Sequence, residues 1–124
     1  MSLTIRTKRV YDPPDTCDGL RVLVDRVWPR GMTKEQVAAD LWLKEAAPGT
    51  ELRQWFDHDR ARWEEFRRRY FAELDVKQDI VARLLEAAVA EGPLTLLFSA
   101  RDAECNQAVA LRDYLLARCG RTTG

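Results

Sequence analysis

Apolar and polar residues follow one another along this chain in patterns that predict alternating strands and helices. Leu3 to Lys8 alternates apolar and polar positions, the period of a strand with one face exposed. Tyr11 to Gly19, with Pro13, Pro14 and several aspartates, reads as a loop. Leu20 to Asp25 is rich in branched apolar residues and reads as a more buried strand, broken by Trp28-Pro29-Arg30-Gly31. Thr33 to Gln36 has the spacing of a capping box, so a short helix is expected to begin there. Leu41 to Lys44 reads as a third short strand, stopped before Pro48.

The second half reads mostly as helix. Thr50 is placed to cap a helix through Leu52, Trp55 and Phe56, and Asp57 or Asp59 to cap the next. Trp63, Phe66, Tyr70 and Leu74 recur at helical spacing, and Val76, Ile80, Leu84, Leu85 and Ala88 continue the stripe in a further helix. Gly92-Pro93 is the expected stop. Leu94 to Ser99 is the clearest buried strand. The last helix is expected to start near Ser99 or Asp102, to bury Ala108, Leu111, Leu115 and Cys119, and to end at Gly120. This order predicts an α/β fold: a single small domain over residues 1–124, Rossmann-like, with a mainly parallel sheet of about four strands flanked by helices.

Composition narrows the class further. At 124 residues with 46% hydrophobic content, the chain is long enough to bury a core and too short for two domains. Lys plus Arg and Asp plus Glu each total 20, so the formal net charge is zero. That balance argues against a protein that coats nucleic acid, whose affinity rests on excess basic charge. No apolar run approaches a membrane span, and the first residues lack the pattern of a secretory signal, so a cytoplasmic protein is expected. The three cysteines, Cys17, Cys105 and Cys119, form no C-x-x-C pair, and His58 is the lone histidine. Neither a disulfide framework nor zinc is expected, and no cofactor is implied.

Candidate chemistry follows from the strand ends. In an open α/β sheet, ligands collect outside the carboxyl ends of the strands, near a switch in strand order. The second strand delivers Asp25, Arg26, Trp28 and Arg30 to that edge, the third Lys44 and Glu45, and the fourth Ser99, Arg101 and Asp102, with Asn106 following. Arginines beside the free N–H groups of a helix start suit a phosphate or carboxylate. The expected roles are Asp25 or Asp102 as acid or base, Arg26 and Arg30 as anion ligands, and Ser99 and Asn106 as orienting groups. Trp28 and Lys44 complete the substrate-binding set. No glycine-rich phosphate loop is present.

Each of these residues also has a plain structural reading. Asp25 and Arg26 would pair or cap at a strand end, Trp28 would pack its loop, and Ser99 and Asp102 would serve as N-caps. His58, between two aspartates in a turn, reads as an exposed or capping residue, with general base as the minority reading. Cys105 lies near a helix start but has no base close in sequence. Arg67-Arg68-Arg69 resembles a nucleic-acid patch, yet Glu64 and Glu65 stand four residues before Arg68 and Arg69, the favoured order for helical ion pairs.

Several strings carry a resemblance. Lys8 to Pro13, Gly19 to Gly31 with its V-D-R-x-W-P-R-G motif, Trp42 to Pro48, Leu52 to Phe56, Trp63 to Phe66, and Thr95 to Asp102 with Asn106 are similar to the YeaO-like branch of the domain-of-unknown-function 488 family. The match covers nearly the whole chain, and its motifs fall on the strand ends selected above. It names no reaction. Longer, more distant members of that family carry a Cys-His-Arg string just after the last strand. The corresponding positions here are Asn106, Gln107 and Ala108, with Cys105 displaced by one, so the resemblance argues against a nucleophilic cysteine.

The leading expectation is an anion-binding pocket at the strand carboxyl ends, in a hydrolase or transferase acting on a phosphorylated or carboxylated small molecule. The alternatives are a non-catalytic regulatory or nucleic-acid-associated binding module, and an interaction protein whose helices form a homodimer face. A membrane partner is not expected.

Overall fold

Four parallel strands, β1 (Ile5–Arg9), β2 (Leu20–Leu23), β3 (Leu41–Trp42) and β4 (Leu94–Phe98), make one sheet in the order β1-β4-β2-β3. The computed structural model describes residues 4–123, and for residues 91 and 119–123 the backbone alone. Leu3 as a strand residue and the buried side chain expected for Cys119 lie outside what is described. All five residues of β4 are buried, as its position between β1 and β2 requires. Leu94, Leu96 and Phe98 face the main core, and Leu97 faces the other side.

The helices are α1 (Lys34–Val37), α2 (Thr50–Phe56), α3 (Trp63–Asp75), α4 (Gln78–Glu91) and α5 (Gln107–Thr123). Their apolar stripes decide where they pack. Leu52 and Phe56 of α2, Phe66, Tyr70 and Leu74 of α3, Val81 and Leu84 of α4, and Leu111 and Leu115 of α5 join the main core on one face. The opposite face carries only a small cluster of Val10, Leu23, Val37 and Leu97, with Trp28 and Met32 against it. This is the expected α/β domain, with its long helices on one side. Among the described residues no helix is long and apolar enough to cross a membrane.

The thin face holds a charged residue that strand alternation would have sent to solvent. Arg21 is buried; it pairs with buried Asp18 and donates to the carbonyls of Val37 at 2.7 Å and Ala38 at 2.9 Å. Its guanidinium thus satisfies the end of α1. Thr33 caps the start of that helix by the expected capping box with Gln36.

Some boundaries differ from expectation. β3 is two residues long, because Lys44 opens a 3-10 turn, Lys44–Ala46. Gly49, not Thr50, occupies the N-cap of α2. α5 starts at Gln107 rather than near Ser99 or Asp102, and its backbone continues through Gly120 to Thr123. The late start has a local cause. Asp102 accepts the N–H groups of Glu104 at 3.0 Å and Cys105 at 3.1 Å, closing a turn, and Asn106 then takes the cap position by accepting the Val109 N–H at 3.0 Å.

Candidate functional site

The segments after β2 and β4 leave neighbouring strands for opposite faces, the first toward α1 and the second toward α5. A crevice at the carboxyl ends follows from that divergence. Here it is a cavity of about 790 Å³. Its floor comes from Asp25, Ser99 and Gln107, one wall from Arg26, Ala47 and Pro48, another from Arg53, Phe56 and His58, and its rim from Arg101 and Asp102.

Asp25 ties the floor together. It is 6% exposed, and its carboxylate accepts the Ser99 N–H at 3.0 Å and an N–H of the Gln107 side-chain amide. Burial pushes its pKa above the ordinary carboxylate range, against the opposing hydrogen bonds from Ser99 and Gln107 and the nearby Arg53 charge. From behind, the Trp42 indole N–H donates to the Asp25 carbonyl at 2.7 Å, and Arg9 donates to the Ala100 carbonyl at 3.0 Å.

The wall at Ala47 and Pro48 is held by α3 and by Lys77 at the N-cap of α4. Tyr70 donates its hydroxyl to the Ala46 carbonyl, Glu73 accepts the Gly49 N–H at 2.8 Å, and Lys77 donates to the carbonyls of Glu45 at 2.9 Å and Ala47 at 3.1 Å. On the far wall, α2 ends with Asp57 and His58 both in the left-handed region, at φ 47° and 55°. Aspartate and histidine tolerate that conformation better than most residues, and it places exposed His58 at the mouth, 6.4 Å ring to ring from Phe56.

Arg26 and Arg53 are the unusual groups of the cavity. The Nε atom of each is buried and has no hydrogen-bond partner. Neither guanidinium forms an ion pair with a carboxylate among the described residues. Arg67 on α3 also has a buried, unpartnered Nε, but its guanidinium is already paired with Asp113. A buried donor without a partner carries a desolvation penalty that a ligand would relieve.

The sequence-selected residues therefore divide. Asp25, Arg26, Ser99, Asp102 and Asn106 converge on the cavity. Trp28, Arg30 and Lys44 do not line it. Trp28 packs edge-on against Trp42 at 5.4 Å and donates to the Met32 carbonyl at 2.7 Å. Arg30 is exposed, and Lys44 sits 4.9 Å from the Trp42 ring centroid. Arg53 and Gln54 also line the cavity; in the sequence the Leu52 to Phe56 string marks an amphipathic helix and part of the resemblance, and neither singles out these two residues.

Asp102 and Asn106 are engaged within the protein, and Cys105 is kept as a thiol. Asp102 accepts both arms of Arg60, at 2.7 and 2.9 Å, in addition to the N–H groups of its turn. The Arg60 hydrogen bonds hold its pKa down at about 2. Asn106 is 1% exposed and also donates to the Asp102 carbonyl at 2.8 Å. Burial and the Asp102 carboxylate push the Cys105 thiol up, away from thiolate. Among the described residues, no group of three His, Cys, Asp or Glu is arranged to hold a metal ion. The basic run on α3 is neutralised within the protein: Glu65 accepts from Arg68 at 3.0 Å and Arg69 at 2.7 Å, and Arg67 pairs with Asp113 at 3.2 Å.

Residues 4–123 match the model of a family described as the inactive DUF488-N3 subclade. The chain belongs to that family. It is also 45% identical over 113 residues to the uncharacterized protein YeaO of Escherichia coli, covering 91% of this chain and 97% of that one. Uncharacterized proteins Mb3100c of Mycobacterium bovis and Rv3073c of Mycobacterium tuberculosis are each 47% identical over 70 residues, covering 56% of this chain and 59% of theirs. No solved structure matches the chain. Within DUF488, the position where the resemblance puts the cysteine of longer members is here Asn106, the buried cap of α5.

Proposed function

We propose that this domain binds a small anionic molecule, phosphorylated or carboxylated, in the cavity at the strand carboxyl ends, and that it does so without chemical turnover. The observation that carries the reading is the pair of guanidiniums, Arg26 and Arg53, each with a buried and unpartnered Nε, in one cavity. Guanidinium donors in that state match the oxygens of a phosphate or carboxylate. Support for binding without turnover comes from the occupied state of Asp102 and Asn106 and the raised thiol pKa of Cys105. The word inactive in the family description agrees with it. Arg53 takes the role that the sequence assigned to Arg30, and Asp25, Ser99 and Gln107 form the floor.

The test is a thermal-shift comparison of phosphate with chloride at matched ionic strength. It uses wild type and an Arg26→Ala, Arg53→Ala double variant. A ligand bound only by the folded state raises Tm by mass action. Wild type should show a saturable rise that the double variant lacks. Equal responses would sink the reading.

A further inference from the structure

The cavity has a second character besides its charge. Pro48 and Phe56 line it together with Arg26 and Arg53, and Val27 stands at its edge. Val27 is 65% exposed, although it is a branched apolar residue on a segment otherwise anchored from behind by Trp42. Phe56 is stacked on Phe66 at 4.3 Å with planes 22° apart, so the aromatic wall is fixed before any ligand arrives. A pocket that bound only inorganic phosphate would have no use for apolar residues beside its guanidiniums, because a free phosphate has oxygen on every side.

We infer that the preferred ligand is amphipathic: a phosphate monoester whose anionic group meets Arg26 and Arg53 and whose flat apolar body covers exposed Val27 at the edge of the cavity. The inference rests on the anion-binding reading above and adds the nature of the group esterified to the anion. Two guanidiniums match the double charge of a monoester. A volume of about 790 Å³ leaves ample room beyond one phosphate, and it falls within the range of pockets that enclose organic ligands. Covering Val27, which is 65% exposed, removes apolar surface from water, and this favours an aryl over an alkyl ester.

The experiment is calorimetric titration with methyl phosphate and phenyl phosphate, which carry the same anionic group and differ in the body attached to it. Wild type, Val27→Ser and Arg53→Gln are compared. Val27 is exposed, so its replacement does not disturb the core. Wild type should bind phenyl phosphate about tenfold or more tightly than methyl phosphate, the scale of burying one apolar side chain. Val27→Ser should lose most of that preference while keeping its methyl phosphate affinity, and Arg53→Gln should weaken both. Equal affinity for the two esters, or a preference unchanged in Val27→Ser, would overturn the amphipathic ligand and leave the anion site standing. Binding of neither ester by wild type would overturn the anion site itself, and this inference with it.

Discussion

The Asp25 carboxylate accepts the backbone N–H of Ser99 at 3.0 Å, joining the carboxyl ends of two adjacent parallel strands across 74 positions of sequence. That bond, together with the one from Gln107, makes Asp25 the keystone of the cavity floor. Replacing it with alanine leaves two donors unsatisfied in a buried place and should destabilise the domain by about 2–4 kcal/mol. Urea unfolding measures this directly, and a loss below about 1 kcal/mol would show that water replaces the carboxylate without penalty.

Asp25 also gives stability an unusual pH dependence. Its folded-state pKa lies above the ordinary 3.8, so in the window between the two values the folded state binds more protons than the unfolded state. The contribution of Asp25 is therefore greatest below the unfolded pKa and declines as pH rises through the folded one. Asp25→Asn removes this titration, and Gln107 can turn its amide to present an oxygen to the new side chain. The stability of wild type minus that of Asp25→Asn should fall as pH rises from about 4, then level off. A flat or rising difference would contradict the raised pKa.

Asp102 behaves in the opposite way. Paired with exposed Arg60, its carboxyl is held at about 2, so its stabilisation is complete above the unfolded pKa and is lost as pH falls from there through the folded pKa. Arg60→Ala should return Asp102 to the ordinary carboxylate range, read from the pH titration of its side-chain carbon resonance. The downward shift in wild type should shrink in high salt, since the pair faces solvent. An unmoved titration in Arg60→Ala would mean that the turn N–H groups alone hold the carboxylate.

Thiol reactivity tests whether the site retains nucleophilic character. Cys105 is half-buried with its thiol pushed up by burial and by the carboxylates of Asp102 and Glu104, whereas Cys17 is exposed. Iodoacetamide at neutral pH should therefore modify Cys17 well before Cys105, as read by peptide mass spectrometry. Preferential modification of Cys105 would reveal an activated thiol and reopen catalysis at this position.

Much of the fold was legible because it depends on local pattern. The Thr33 to Gln36 capping box, the all-apolar Leu94 to Phe98 strand and the stripe through Phe66, Tyr70 and Leu74 each state their structure within a few residues. The juxtaposition of Asp25 with Ser99 was also legible, since the two most apolar strands belong side by side in the centre of a parallel sheet. Arg53 was not. On α2 it occupies a polar position of an amphipathic helix, and only the packing of α2 against α3 brings it to the cavity. Arg30 illustrates the converse: two positions beyond Trp28, it follows that residue toward the thin face of the sheet, where Trp28 packs with Leu23 and Leu97. Ser99 and Asp102 both resemble helix caps by residue type, and the choice of Asn106 as the true cap follows from Asp102 closing its own turn first.

In the proposed site Arg26 and Arg53 hold an anion through donors that are buried and otherwise unpartnered. The most direct measurement is a phosphate titration followed through the Nε–Hε resonances of those two side chains, assigned by Arg26→Lys and Arg53→Lys. Both resonances should shift together and saturate along one binding curve, while the Nε resonance of Arg60, already paired with Asp102, stays in place. If both stay unmoved, or shift linearly and no more than the exposed arginines do, the cavity does not bind anions.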